Sequence, residues 1–167
     1  MQNIYLIGMM GAGKTATGKT LARLAGMDFV DLDEAIESQT HLSINEIFQK
    51  RGEPFFRGEE KRVLARAADD THTVVATGGG IVLDRENVET MRRTGRVIYL
   101  AASFETLWNR VRNKKDRPLL AVPDPRATFL ELFRERRALY ERSCMGCVQT
   151  DGLTPEASAK KIFETFL

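Results

Sequence analysis

Gly8-Met9-Met10-Gly11-Ala12-Gly13-Lys14-Thr15 decides how the rest of this chain is read. Its spacing, G-x-x-x-x-G-K-[ST], is that of a phosphate-binding P-loop. Ile4-Tyr5-Leu6-Ile7 precedes it, a short apolar run that reads as a buried strand. Leu21, Ala22, Leu24 and Ala25 follow at helical spacing. Strand, loop, then helix is the context the motif requires. The residue types have a physical reason. Glycines let backbone N–H groups curl toward phosphate oxygens, and the helix N-terminus adds partial positive charge. Lys14 can reach β- and γ-phosphates, and the Thr15 hydroxyl can ligate Mg²⁺. A plain glycine-rich turn is the alternative, and it leaves the Lys and Thr in register without a cause.

The whole chain sets bounds. At 167 residues it reads as one domain, 1–167, long enough for a real core. A net charge of +2 is too small to argue for nucleic acid or a membrane surface. No apolar run approaches the ~20 residues of a spanning helix. The chain starts straight into a strand, so no signal peptide is expected. Two cysteines, Cys144 and Cys147, make no disulfide framework, and a reducing cytoplasmic setting is expected. We find no internal repeat, low-complexity segment or linker.

Outward from the loop, Gly26 is a plausible helix C-cap. Phe29-Val30 forms a second strand ending at Asp31-Leu32-Asp33. Two acids one residue apart on a strand share a side, and open α/β sheets bind ligands at the carboxyl ends of strands. Asp31 and Asp33 are therefore candidates for Mg²⁺ contact and hydroxyl activation. Taken alone, a helix N-cap before Glu34 is the simpler reading of Asp33. Ser43-Ile44-Asn45-Glu46 is a capping box opening a helix that Gly52 ends. Arg57 follows Phe55-Phe56. Its planar fork suits a carboxylate, but local sequence favours a surface pair with Glu53 or Glu60.

Thr73-Val74-Val75-Ala76 is a third strand, followed by Thr77-Gly78-Gly79-Gly80. Three consecutive glycines suggest backbone approached closely by a ligand; a flexible connection to the helix near Asp84 is the alternative. No acid ends this strand, which puts more weight on Asp31 as the metal-side carboxylate. Arg96 to Leu100 is a fourth strand, and Ser103 caps a helix carrying Leu107, Trp108 and Val111. Residues 113–125 are polar, basic and proline-punctuated, and read as a mobile lid. Asp124-Pro125 opens a long helix whose apolar face is Phe129, Leu132, Phe133, Leu139 and Tyr140; its arginines 134, 136, 137 and 142 are expected to be mostly solvated. Val148 belongs to a weak fifth strand, and Thr154-Pro155 starts the last helix. Strands alternating with helices argue for a five-stranded parallel sheet with helices on both faces.

Two motifs are read as decoys. Asn113-Lys114-Lys115-Asp116 matches the N-K-x-D spacing of guanine readers, but it follows a helix and the chain has no Asp-x-x-Gly. Cys144-x-x-Cys147 has no second pair, and His41 and His72 are distant in sequence. These cysteines read as small buried residues where a helix hands over to a strand.

In combination, the motifs resemble those of the shikimate kinase family, within the nucleoside-monophosphate-kinase-like P-loop enzymes. The resemblance rests on Gly8 to Thr15 extended by Gly18 and Leu21-Ala22, on Asp31-Leu32-Asp33, on Phe56-Arg57-x-x-Glu60, and on Gly78-Gly79-Gly80. Arg117-Pro118-Leu119-Leu120 and Arg136 four residues before Tyr140 agree with it. It implies a three-layer α/β P-loop kinase fold with strand order 2-3-1-4-5, and ATP-dependent phosphorylation of the shikimate 3-hydroxyl. It also implies a substrate-binding region at residues 33–60 and a lid at 112–124. Residue by residue, it implies that Asp33 bonds the substrate hydroxyls and accepts a proton. Arg57 and Arg136 hold the substrate carboxylate, and Gly79 and Gly80 approach through the backbone. Gly11, Ala12, Gly13, Lys14, Thr15 and Ala16 cradle the nucleotide, with Arg110 against adenine and Arg117 on the phosphates. Thr15 ligates Mg²⁺, with Asp31 beside it. A kinase of another hydroxy acid, such as gluconate, is the nearest alternative. The expected partners are ATP and shikimate, for a monomer with no nucleic-acid or membrane partner. Ala16 departs from the family, which often has a second hydroxyl there to bond the α-phosphate.

Overall fold

The computed structural model describes residues 2–114 and 117–167, so part of the lid and of the N-K-x-D match (Lys115 and Asp116) lies outside the described residues. Five parallel strands form one sheet: β1 (Asn3–Ile7), β2 (Asp28–Asp31), β3 (Thr73–Ala76), β4 (Gly95–Ala101) and β5 (Gly146–Gln149). Their order is β2-β3-β1-β4-β5. The helices are α1 (Lys14–Ala25), α2 (Leu32–Thr40), α3 (Ile44–Asp69), α4 (Arg85–Thr94), α5 (Phe104–Val111), α6 (Pro125–Ser143) and α7 (Pro155–Phe166).

The middle of the sheet is where water is excluded most completely. Tyr5, Leu6, Ile7, Val74, Val75, Val97 and Ile98 are fully buried, as expected of parallel strands covered on both faces. The switch point lies at β1 and its neighbour β3, since the chain leaves β1 toward β2 on one side and leaves β3 toward β4 on the other. Register aligns Asp31 with Ala76, Ala76 with Leu6, and Leu6 with Ile98. The P-loop, the glycine run and Asp31 therefore leave the sheet side by side at its carboxyl edge.

The helix starts follow the caps read from sequence. Ser43 and Glu46 form the reciprocal capping box, while Ser103, Asp124 and Thr154 accept from backbone N–H groups. α3 departs from helical geometry at Gly52 (φ 81°, ψ 167°), where the sequence expected a stop, and resumes directly after it with Pro54 in the first turn. Beyond that bend, Phe56 and Glu60 are buried and Arg57 lies beside them.

Two expectations are corrected. Asp33 is neither a strand residue nor a cap: β2 ends at Asp31, whose side chain caps α2 by accepting from the N–H groups of Asp33 and Glu34. Asp33 sits in the first helical turn instead. Cys144 and Cys147 lie at the handover from α6 to β5, but Cys144 is half-buried and Cys147 exposed, because β5 is an edge strand. The α6 arginines are mostly solvated as expected, Arg134, Arg137 and Arg142 being exposed; the exception is Arg136, 3% exposed.

Candidate active site

The phosphate side is built by the turn from β1 into α1. Gly8 passes so close to β4 that a Cβ there would lie 2.7 Å from the Leu100 carbonyl oxygen. Gly13 caps α1 in the left-handed region (φ 87°) with no side-chain cap, which leaves the first amides of the helix to face an anion. Lys14 is buried, and its Nζ donates to the carbonyl oxygens of Gly8 (2.7 Å) and Met9 (3.0 Å). Burial brings its pKa down to about 8; Arg117 and Arg136 push the same way, against Asp33 and Asp31. Arg110 Nη1 donates to the Gly11 carbonyl (3.0 Å). A cavity of about 500 Å³ is bordered by the expected nucleotide residues, Gly11 to Ala16 with Arg110 and Arg117.

A second cavity, of about 300 Å³, takes in Asp33, Arg57, Gly79, Gly80, Arg117 and Arg136. The two cavities share Thr15, Asp31, Asp33, Gly79 and Arg117. An acceptor in one and a phosphoryl donor in the other would meet at these residues. Asp33 Oδ1 is buried with no hydrogen-bond partner among the described residues. Burial and the neighbouring Asp31 raise its pKa above the usual carboxylate range, against Lys14 and Arg117. An orphaned buried carboxylate oxygen is costly; this one lies by Gly78 and Glu60, in a residue that lines both cavities.

Arg57 resolves both of its readings at once. It does pair with Glu53 (2.9 Å) and with Glu60 (2.8 Å), yet it lines the acceptor cavity and lies over Phe56. The two carboxylates aim it rather than consume it, since the guanidinium has five donors. Glu60, 1% exposed, has its pKa raised by burial, against the pull of Arg57. Arg136, from α6, keeps a buried Nε without a partner among the described residues. Phe48 and Phe56, 5.1 Å apart, supply an apolar wall.

Two glycines of the run, Gly78 and Gly80, are explained by space. A Cβ on Gly78 would meet Glu60 Oε1 at 2.6 Å and Asp33 Oδ1 at 3.2 Å, and one on Gly80 would lie 2.6 Å from Arg57 Cζ. Arg57 could yield only by giving up its Glu60 pair. Gly80→Ala is therefore expected to raise the KM of the carboxylate substrate by about 10–100-fold, the worth of one charge-assisted contact, with the ATP KM changed less than twofold. Steady-state kinetics on both substrates checks this, and equal changes in the two KM values would refute it.

Thr15 Oγ1 donates to Asp31 Oδ2 at 2.6 Å, so a hydroxyl and a carboxylate stand together where the cavities join. Among the described residues, no three His, Cys, Asp or Glu side chains gather into a metal cage. Two hard oxygens suit Mg²⁺, which completes its shell with phosphate oxygens and water.

The structure brings the residues named from sequence around the two cavities; Glu60 and Tyr140 enter the sequence reading only in motifs and pairings, with no role in the site. Tyr140 donates its hydroxyl to the Gly79 carbonyl. The available signals were helical spacings, i,i+3 from Arg57 to Glu60 and i,i+4 from Arg136 to Tyr140.

A P-loop at the switch point of a 2-3-1-4-5 parallel sheet, with an acid and two guanidiniums across from it, defines a P-loop kinase of the nucleoside-monophosphate-kinase-like group. The model of the shikimate kinase family matches residues 10–167. The chain belongs to that family. It is 43% identical over 166 residues to the shikimate kinase of Thermodesulfovibrio yellowstonii, covering 99% of this chain and 95% of that one. Against the shikimate kinase of Ruegeria pomeroyi it is 45% identical over 153 residues, covering 92% and 78%. The structure of shikimate kinase from Acinetobacter baumannii in complex with shikimate superposes with a TM-score of 0.95 at 38% identity, covering 98% of this chain and 92% of that one. A gluconokinase from Sinorhizobium meliloti shares only the fold, at 17% identity and a TM-score of 0.54.

Proposed function

We propose that this chain transfers the γ-phosphoryl group of ATP to the 3-hydroxyl of shikimate, giving shikimate 3-phosphate for chorismate and aromatic amino-acid synthesis. The observation that carries this is the shared border of the two cavities, where Asp33 faces Lys14 and Arg117 while Arg57 and Arg136 stand on the acceptor side. Arg57 and Arg136 hold the carboxylate and so fix the ring. Asp33, buried and raised in pKa, accepts a hydrogen bond from the 3-hydroxyl and takes its proton as the new O–P bond forms. Gly79 and Gly80 bring backbone up to the substrate. Lys14, Arg117 and the P-loop amides neutralise charge on the phosphoryl oxygens, which is most of what such a transfer needs. Thr15 and Asp31 would hold Mg²⁺, which when bound adds further charge neutralisation. The described residues contain no helix long and apolar enough to cross a membrane, and we assign the chain to the cytoplasm as a monomer.

The test is ADP release with ATP, Mg²⁺ and shikimate, beside gluconate and a blank without acceptor. Release dependent on shikimate alone supports the proposal. Equal or greater release with gluconate would move the assignment to a kinase of that acid, and release without acceptor would make this an ATPase.

Two further outcomes follow from the phosphate side. Lys14 loses its charge as pH rises through about 8. The alkaline limb of kcat/KM for ATP is therefore expected near pH 8, well below the usual lysine range. In kcat it should move higher, because bound phosphates favour the ammonium. A limb absent up to pH 10 in both profiles would refute this. Ala16 lies exposed on the border of the nucleotide cavity. Ala16→Thr should lower the ATP KM by about 2–10-fold, one recovered hydrogen bond; an unchanged KM would count against it.

A further inference from the structure

Tyr140 does more than pack. Its ring is 1% exposed and stacks on Tyr99 of β4 with centroids 5.1 Å apart and planes 24° apart. Tyr99 is paired in register with Ile7, the residue before the P-loop. The ring is thus held against β4, the neighbour of the strand that feeds the phosphate site. Its hydroxyl stands among three groups from three parts of the molecule. It donates to the Gly79 carbonyl, lies 3.8 Å from Met9 Sδ in the P-loop, and feels the charge of the Arg136 guanidinium one helical turn earlier.

Gly79 is confined on its other sides as well. A Cβ there would stand 3.4 Å from the Met10 nitrogen, and 3.7 Å from both Arg136 Nη1 and the Gly8 carbonyl oxygen. The acceptor loop, the carboxylate receptor and the P-loop therefore converge on one peptide, and Tyr140 is the side chain that bonds it.

We propose that Tyr140 is a positioning residue for phosphoryl transfer, whose hydroxyl ties the Gly79–Gly80 peptide to α6 beside Arg136 and the P-loop. This rests on the assignment of Gly79, Gly80 and Arg136 to the acceptor side. The direction of the bond gives the tie its sense. A carbonyl can only accept, so the hydroxyl commits its single proton to Gly79. In a trans peptide that carbonyl and the Gly80 N–H point oppositely. Holding the carbonyl toward α6 turns the Gly80 N–H away from it. Hydrogen bonds in series also polarise one another, so a bonded Gly79 carbonyl makes the Gly80 N–H a stronger donor. Burial pushes the Tyr140 phenol up, and it stays a neutral donor through the working range.

Tyr140→Phe removes the hydroxyl and keeps the ring. The expected result is a shikimate KM raised about tenfold, an ATP KM within twofold, and an unchanged melting temperature. Tyr99→Phe, which keeps the stack, is expected to leave both constants within twofold. In a cycle with Arg136→Lys, the double variant should lose less than the product of the two single losses. A shikimate KM within twofold of the parent for Tyr140→Phe would overturn the proposal. So would a parallel rise of both KM values with a lowered melting temperature, which is the signature of packing alone. Failure of the underlying site assignment reads differently: Arg136→Ala would then leave the shikimate KM unchanged, whatever Tyr140→Phe does.

Discussion

Asp33→Asn is expected to lower kcat by about 10²–10⁴-fold, the usual worth of a positioned proton acceptor, while the ATP KM changes by a few fold at most. Asparagine matches the carboxylate in shape and can still accept a hydrogen bond from the substrate hydroxyl, but it cannot take its proton. The fold should not suffer. Burial and Asp31 raise the pKa of Asp33. A carboxyl whose folded pKa lies above its unfolded value binds protons more tightly when folded, so folding loses stability as pH rises through that interval. Above the pKa of the unfolded carboxyl, burying Asp33 therefore costs stability, and the neutral amide relieves that cost. The melting temperature of Asp33→Asn should equal or exceed that of the parent. Stability held at the expense of activity is the pattern expected of a strained functional site. A variant with near-parental kcat, or one that loses both kcat and several degrees of melting temperature, would remove Asp33 from the chemistry.

Lys14→Met should be the other severe lesion. Methionine keeps the length and apolar stem of the side chain and removes its charge. Lys14 is held within the P-loop by the Gly8 and Met9 carbonyls, so under the proposed function its ammonium is the loop's charge for the phosphoryl oxygens. Losing one such preorganised group costs about 10²–10³-fold in kcat, and kcat/KM for ATP should fall further because ground-state phosphate binding weakens too. The shikimate dissociation constant, measured without nucleotide, is expected to change by less than threefold. This separates the two lesions. Asp33→Asn acts on the acceptor's proton, whereas Lys14→Met acts on the donor's charge. A Lys14→Met enzyme with more than a tenth of parental kcat/KM for ATP would contradict this role.

Much of this site was legible in the chain because its pieces are local. The P-loop is a contiguous motif in which residue type and conformation are coupled, and Gly13 adopts the left-handed cap that position demands. Strand and helix starts were legible for the same reason: Ser43, Ser103, Asp124 and Thr154 cap within three residues of themselves. The burial of Arg136 was readable in principle, since it falls in one stripe with Phe129, Phe133 and Tyr140 at helical spacing. Composition argued for solvent, and the stripe prevailed because α6 covers the end of the sheet beside Gly79.

Other points were closed to local reading. Arg57 has the same neighbours in sequence whether it is a surface pair or a substrate receptor, and it makes both pairs. Only the tertiary structure sets it beyond the bend at Gly52 and close to Gly80. Asp33 read locally as a cap, but β2 stopped two residues earlier and Asp31 took the cap, which left Asp33 free to line both cavities.

The sequence by itself determined the P-loop, the alternation of strands and helices, and, through its resemblance to one family, which separated motifs to expect at one site. Tertiary structure alone decided which charges are buried, which carboxylate caps a helix, and why Gly78 and Gly80 leave no room for a side chain. The reason is distance. Caps and turns are made within a few residues, whereas the surroundings of Asp33, Glu60 and Gly79 come from β1, α3 and α6, which meet only once the sheet has closed.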